Sequence, residues 1–184
     1  MPRGPLPARF HSDWQRTLYI AVACAGSIAV LGVCALLFHA PVVFPSLGPT
    51  VFILFYAPYS AQAAPKNVII GQFIAGAMGL LSLAVVGLFG VAPDLTDFSW
   101  QRLVAVSIAM FGTVGLMVLF NTPHGPACAT TLIFAVGLFN EPRDVVLLMV
   151  AVVSVVILGF LINRAFGYKV PVWSPLPQDT VPAA

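Results

Sequence analysis

Two points in this sequence set polar side chains beside a Gly-Pro helix start, and they recur at one offset. Gly48-Pro49 and Gly125-Pro126 lie 77 residues apart, as do Pro65 and Pro142. In each copy 17 residues separate the glycine from the later proline, and a cation follows that proline: Lys66 in the first, Arg143 in the second. The hydroxyls of Ser46 and Thr50 flank the first Gly-Pro, and the imidazole of His124 precedes the second. A helix start leaves its first N–H groups without intrahelical partners and carries partial positive charge. Glycine lets a ligand approach the backbone closely. Two such starts facing each other form a neutral, donor-rich site for a small anion. The plainer account of the same residues is a pair of tight turns with capped helices.

Lys66 and Arg143 oppose the dipole of the helices they open, so their recurrence needs a reason. One reason is an interfacial anchor that snorkels; the other is an electrostatic funnel that gathers anions at a mouth. Glu141 and Asp144 flank Arg143 and can neutralise it, which leaves Lys66 as the stronger candidate. His124 titrates near neutral pH and can donate to an anion or relay a proton, or serve as a hydrogen-bonded structural residue. No second histidine or acidic residue is close to it in sequence, so no metal site is expected, and His11 and His39 read as interfacial. An enzyme is not expected either: there is no Ser/His/Asp grouping, no His-Glu-x-x-His and no pair of acidic residues inside an apolar run.

The elements that must position these groups are apolar. Of 184 residues 60% are hydrophobic and 8% charged, against roughly a quarter charged in soluble domains. The net charge of +2 gives no reason to expect nucleic acid as a partner. Cys24, Cys34 and Cys128 are odd in number and read as apolar fillers. Four runs are long enough for the ~20 residues a bilayer requires: Thr17–Phe38, Asn67–Val91, Gln101–Phe120 and Val145–Phe166. The first lacks the short core and cleavage site of a secretory signal and reads as a retained span. Asp94, Asp97 and Ser99 are capping residues for the third span. Ala75 and Gly79 form a small-xxx-small pair that suits close helix packing.

Pro49–Ala57 and Pro126–Phe139 are short for a full crossing. Broken apolar segments at matching places in two halves point to a transporter binding site. If they re-enter, four helices span and the halves are parallel; if they cross, there are six passes and the halves are inverted. Segment length favours four spans. Both arrangements put six basic residues on one side against two, so the positive-inside rule places the termini in the cytoplasm without choosing between them.

The expected fold is therefore all-α. It is a polytopic membrane bundle of four full transmembrane helices and two short Gly-Pro-started helices, re-entrant or half-spanning, in a two-fold internal repeat. Residues 1–16 form a cytoplasmic segment and 17–168 the transmembrane domain, with repeats at about 17–91 and 94–168. Residues 169–184 form a Pro-rich tail expected to be disordered.

Thr122-Pro123-His124-Gly125-Pro126-Ala127-Cys128-Ala129-Thr130-Thr131 resembles the signature of the HPP family of small integral membrane proteins. That signature is a His-Pro-Pro motif after a span and before an Ala/Thr-rich helix; Gly125 stands where the family has its first proline. Ala57 to Gln72 resembles the family's other hallmark, with Pro65-Lys66-Asn67 for Pro-Arg-Asn and Gly71-Gln72 for Gly-His. The resemblance runs from about residue 17 to 168. It implies a four-span protein for which transport has been proposed, with nitrite the substrate associated with plastid members. Some relatives carry a cytoplasmic CBS-domain extension, which is not expected in this chain.

The leading expectation is thus a transporter or channel for a small inorganic anion such as nitrite, in a bacterial inner membrane. The candidate substrate-binding residues are Ser46, Gly48, Thr50, Lys66, Asn67, His124, Gly125, Thr130 and Arg143. No cofactor is implied. The partners are the anion, the lipid bilayer and, through the small-residue faces, a possible homo-oligomer. The alternative is a non-transporting assembly or sensory protein that acts through partner subunits.

Overall fold

The four long apolar runs fold as four helices of membrane-crossing length, joined by two half-length ones. A computed structural model describes residues 12–39, 43–93 and 98–177. The chain runs α1 (Asp13–Phe38), α2 (Leu47–Tyr56), a 3-10 turn (Ala61–Ala63), α3 (Pro65–Val85), α4 (Trp100–Leu119), α5 (Pro126–Ala135) and α6 (Pro142–Ala165). No strand occurs among the described residues. α1, α3, α4 and α6 are long and apolar enough to cross a bilayer. At 10 residues each, α2 and α5 extend about 15 Å, half the hydrocarbon thickness.

Local chemistry sets the boundaries and shifts several from their expected places. α1 starts four residues before Thr17 because the Ser12 hydroxyl accepts from Gln15 N at 3.3 Å and caps it. α3 stops at Val85, short of Val91, where Gly87 takes φ +73 and Leu88 N–H returns to Leu83 O. α5 stops at Ala135, short of Phe139, by the same device at Gly137 (φ +84). Ser99 caps α4, accepting from Arg102 N; Asp94 and Asp97 lie outside the described residues. Pro65, Pro126 and Pro142 open their helices at the first turn, as expected.

Contacts between helices fix their directions. Gly71 meets Met117 and Gly112 meets Met78, so α3 and α4 are antiparallel. Gly71 also meets Ala127, while Gly79 meets Phe134 and Ala135, so α5 runs parallel to α3. Thr50 reaches Gln72 and α2 ends where α3 begins, which makes that pair antiparallel. Arg16 donates to Tyr56 O, and Tyr19 packs on Phe55 and Phe166, so α1 begins where α2 and α6 end. Each segment therefore reverses the one before it. Re-entry would return α2 and α5 to the side they left. Instead each ends beside the start of the long helix before it, α2 at Arg16 and α5 at Arg102. The two short helices therefore take the half-spanning form of the expectation, beside four helices long and apolar enough to cross a membrane.

Packing follows residue size. Gly79 lies under the Phe134 backbone and Cβ, Gly71 lies 3.0 Å from the His124 Cβ by the position its own Cβ would take, and Ala75 is fully buried. These small residues bring α5 onto α3, as the small-xxx-small pair predicts. Polar ties brace the ends. Asn163 on α6 donates to Leu54 O at 3.1 Å and accepts from the Tyr19 hydroxyl at 2.9 Å. Arg102, 4% exposed, donates to Val91 O and Ala92 O at 2.9 and 3.0 Å. Its guanidinium packs on Gly137, where a cation complements the C-terminal end of the α5 dipole. The tail expected to be disordered is partly packed: Val170 and Pro171 are buried, and Trp173 O accepts from Lys66 N at 3.1 Å. Residues 178–184 lie outside the described ones.

Candidate functional site

The starts of α2 and α5 meet inside the bundle and the two helices depart in opposite directions. The Thr50 hydroxyl of α2 lies 3.2 Å from His124 Nε2, two residues before α5. Gln72 of α3 closes the group: its Nε2 donates to Thr50 Oγ1 at 3.1 Å and stands 3.5 Å from His124 Nε2. On its other side Gln72 Oε1 accepts from the Thr130 hydroxyl of α5. His124 Nδ1 donates to Gln62 O at 2.9 Å, and Gly125 N–H donates to Gln62 Oε1 at 3.0 Å. Thr50, Gln72, His124 and Thr130 are all at least 99% buried. Three elements and the turn before α3 thus build one neutral polar cluster in an apolar bundle.

Ser46 lies one turn before Thr50, on the same face of α2, and its buried hydroxyl has no partner. Thr122, two residues before His124, is also fully buried with an unpartnered hydroxyl. Leaving a buried hydroxyl unpaired costs about 1–3 kcal/mol, so two of them beside one cluster are conspicuous.

The structure brings together four of the predicted residues, Ser46, Thr50, His124 and Thr130, and assigns the others different places. Gly48 and Gly125 do stand at the helix starts, but their backbone is not free to bind. Gly48 N–H bonds to Pro45 O and Leu47 N–H to Phe44 O, while Pro49 has no N–H. At α5, Gly125 N–H is taken by Gln62, Pro126 has none, and Ala127 and Cys128 bond to His124 O and Gly125 O. The expectation of donor-rich backbone is therefore corrected: short 3-10 turns ahead of each helix use those donors, and side chains supply the polar groups instead.

Lys66 is half-buried at the start of α3 and Arg143 exposed at the start of α6, at opposite ends of the bundle. They form no common funnel. Glu141 and Asp144 serve the α6 start, where Asp144 accepts from Glu141 N–H at 3.0 Å, rather than closing on Arg143. Asn67 donates to Ala61 O at 2.8 Å and holds the turn before α3. Gln62 and Gln72, which complete the cluster, were not among the predicted site residues. A signal existed for Gln72: an amide in the middle of an apolar span marks function by default. Gln62 acts partly through its main-chain carbonyl, which no sequence pattern exposes.

Comparison with known proteins places this architecture. A transmembrane protein of Dictyostelium discoideum is 28% identical over 131 residues, covering 70% of this chain and 43% of that protein. The chain thus spans less than half the length of the curated relative it matches. No solved structure matches the chain. The profile of the family described as "HPP, transmembrane region" matches residues 10–171, nearly the whole length, and the chain belongs to that family of integral membrane proteins.

Proposed function

We propose that this protein carries a small inorganic anion, with nitrite the candidate, across a membrane through the cluster where α2 and α5 meet. One observation carries the reading: two oppositely directed half-helices begin at a buried set of neutral side chains that hydrogen-bond to one another across three helices. Polar groups at membrane depth are costly and mark pathways, and broken helices converging there are characteristic of secondary transporters. In this reading the bonded Thr50, Gln72 and Thr130 side chains, with the unpartnered hydroxyls of Ser46 and Thr122, supply the polar groups that an oxyanion engages.

In this reading α1–α3 and α4–α6 are two copies of one unit in opposite orientation, and their relative rocking alternates access to the cluster. Arg16, Lys66, Arg164 and Lys169 share one end and Arg102 and Arg143 the other, which favours a cytoplasmic location for the first end and both termini. The protein works without a cofactor or catalytic step, in the inner membrane of a bacterium, alone or as a homo-oligomer.

Uptake of sodium nitrite into proteoliposomes tests the reading. Purified protein is expected to raise uptake above protein-free vesicles, and Thr50→Val to weaken apparent affinity about tenfold by removing the acceptor that holds the Gln72 amide beside His124. Uptake no faster than in protein-free vesicles refutes it.

A further inference from the structure

The hydrogen bond on the far side of the imidazole fixes what its near side can do. His124 Nδ1 lies 2.9 Å from Gln62 O. A carbonyl oxygen only accepts, so Nδ1 holds the ring proton. In the neutral ring Nε2 is then bare, and it is this nitrogen that faces Thr50 and Gln72. Proton accounting in the cluster agrees. The Thr50 hydroxyl donates to Ser46 O at 3.0 Å, Gln72 donates to Thr50 and stands toward Nε2, and Thr130 donates to Gln72. An anion entering this arrangement meets the Nε2 lone pair, and the Thr50, Gln72 and Thr130 donors are already committed to other acceptors.

Protonation at Nε2 reverses this without disturbing the Nδ1 bond. The ring becomes a cation whose new N–H points into the cluster. Among the described residues no acidic side chain bonds to that ring. The groups facing the ring are Thr50 from α2, Gln62 from the turn, Gly71 and Gln72 from α3 and, through Gln72, Thr130 from α5; none titrates near neutral pH. Cys128 packs with the apolar group around Ala75 and Met117. An isolated charge is expensive in such a place, and so is an isolated anion. The pair is neutral, and each ion raises the affinity for the other by the same factor.

The geometry points to obligatory co-transport of one proton with one monovalent anion, His124 Nε2 binding the proton and the anion accepting from it. This rests on the transport reading above and gives that site its coupling ion and stoichiometry. One H⁺ enters Nε2 from the loading side, one anion binds beside it, and both leave to the other side, so no net charge crosses.

The test uses the full chain in proteoliposomes with sodium nitrite outside, a pH dye inside and a potassium-valinomycin potential, with protein-free vesicles subtracted. Protein-dependent uptake is expected to acidify the lumen by one proton per nitrite and to ignore the imposed potential. Well below saturation it should fall about tenfold per unit rise in external pH, as one required proton demands. Nitrite uptake that moves no protons and slows under an inside-negative potential overturns the coupling and leaves transport standing. Absence of protein-dependent uptake overturns both. Nitrogen-15 NMR of the wild-type protein provides a readout independent of flux, with the His124 signals identified by their loss in His124→Gln. Protonated Nδ1 and bare Nε2 are expected without nitrite at alkaline pH, and a doubly protonated ring when nitrite is added. A proton on Nε2 instead of Nδ1 in the nitrite-free protein contradicts the assignment.

Discussion

At the scale of single residues, the cluster separates side chains by what their hydrogen bonds leave open. Thr50 and His124 face each other and the Gln72 amide, whereas Asn67 and Asn163 spend their amides on backbone carbonyls of neighbouring segments. The first group can exchange partners with a ligand; the second braces the fold. Gln72→Leu removes the link between Thr50 and Thr130 and is expected to reduce nitrite uptake at least tenfold, while the same change at Asn163 should lower stability instead. Initial rates and detergent melting curves, measured on both variants, separate the two effects. Lys66 was legible as a charge in the sequence, but its distance from Arg143 was not. Lys66→Gln should therefore raise the apparent KM for nitrite only a few-fold, with a difference that shrinks at high salt.

At the scale of elements, helix ends and glycines determine how closely α5 approaches α3. A Cβ on Gly79 collides with the Phe134 Cβ and approaches the Ala135 nitrogen, whereas one on Gly115 meets nothing. Gly79→Ala is expected to destabilise the protein by roughly 1–3 kcal/mol through overpacking. Gly115→Ala should be neutral or stabilise it by roughly 0.5–1 kcal/mol through helix propensity. Thermal unfolding in detergent compares them, and equal melting temperatures would contradict the packing account. The pair Ala75 and Gly79 was readable beforehand because spacing of four places both on one face. The shortfall of α3 and α5 was readable only in part. Gly87 and Gly137 sit inside apolar runs, and hydropathy alone does not tell a helix from the turn that ends it.

At the scale of the whole molecule, alternation of all six segments sets which ends share a side. Lys169 and Lys66 lie at the end opposite Arg143. In a variant with Cys24, Cys34 and Cys128 replaced by alanine, single cysteines at positions 66 and 169 should react with an impermeant maleimide from one side of sealed vesicles. A cysteine at 143 should react from the other. Labelling of 66 and 143 from the same side would instead mark the two short segments as re-entrant.

The sequence by itself determined the membrane class, the four long helices, the two half-length ones and the turns that open them. Each rests on local quantities: the length of an apolar run, a proline without an N–H, a serine able to cap. It also placed Thr50 and His124 among the candidates through their position beside those helix starts, and Thr130 through the family-like stretch that contains it. Tertiary structure alone decided that each short helix runs antiparallel to the long helix before it, and that their N–H groups are used by the turns before them. It alone joined Gln62 and Gln72 to His124 across 62 and 52 residues of chain. Backbone carbonyls and partner distances carry no residue code. Which lone pair of an imidazole faces inward depends on an oxygen that only the fold brings to it.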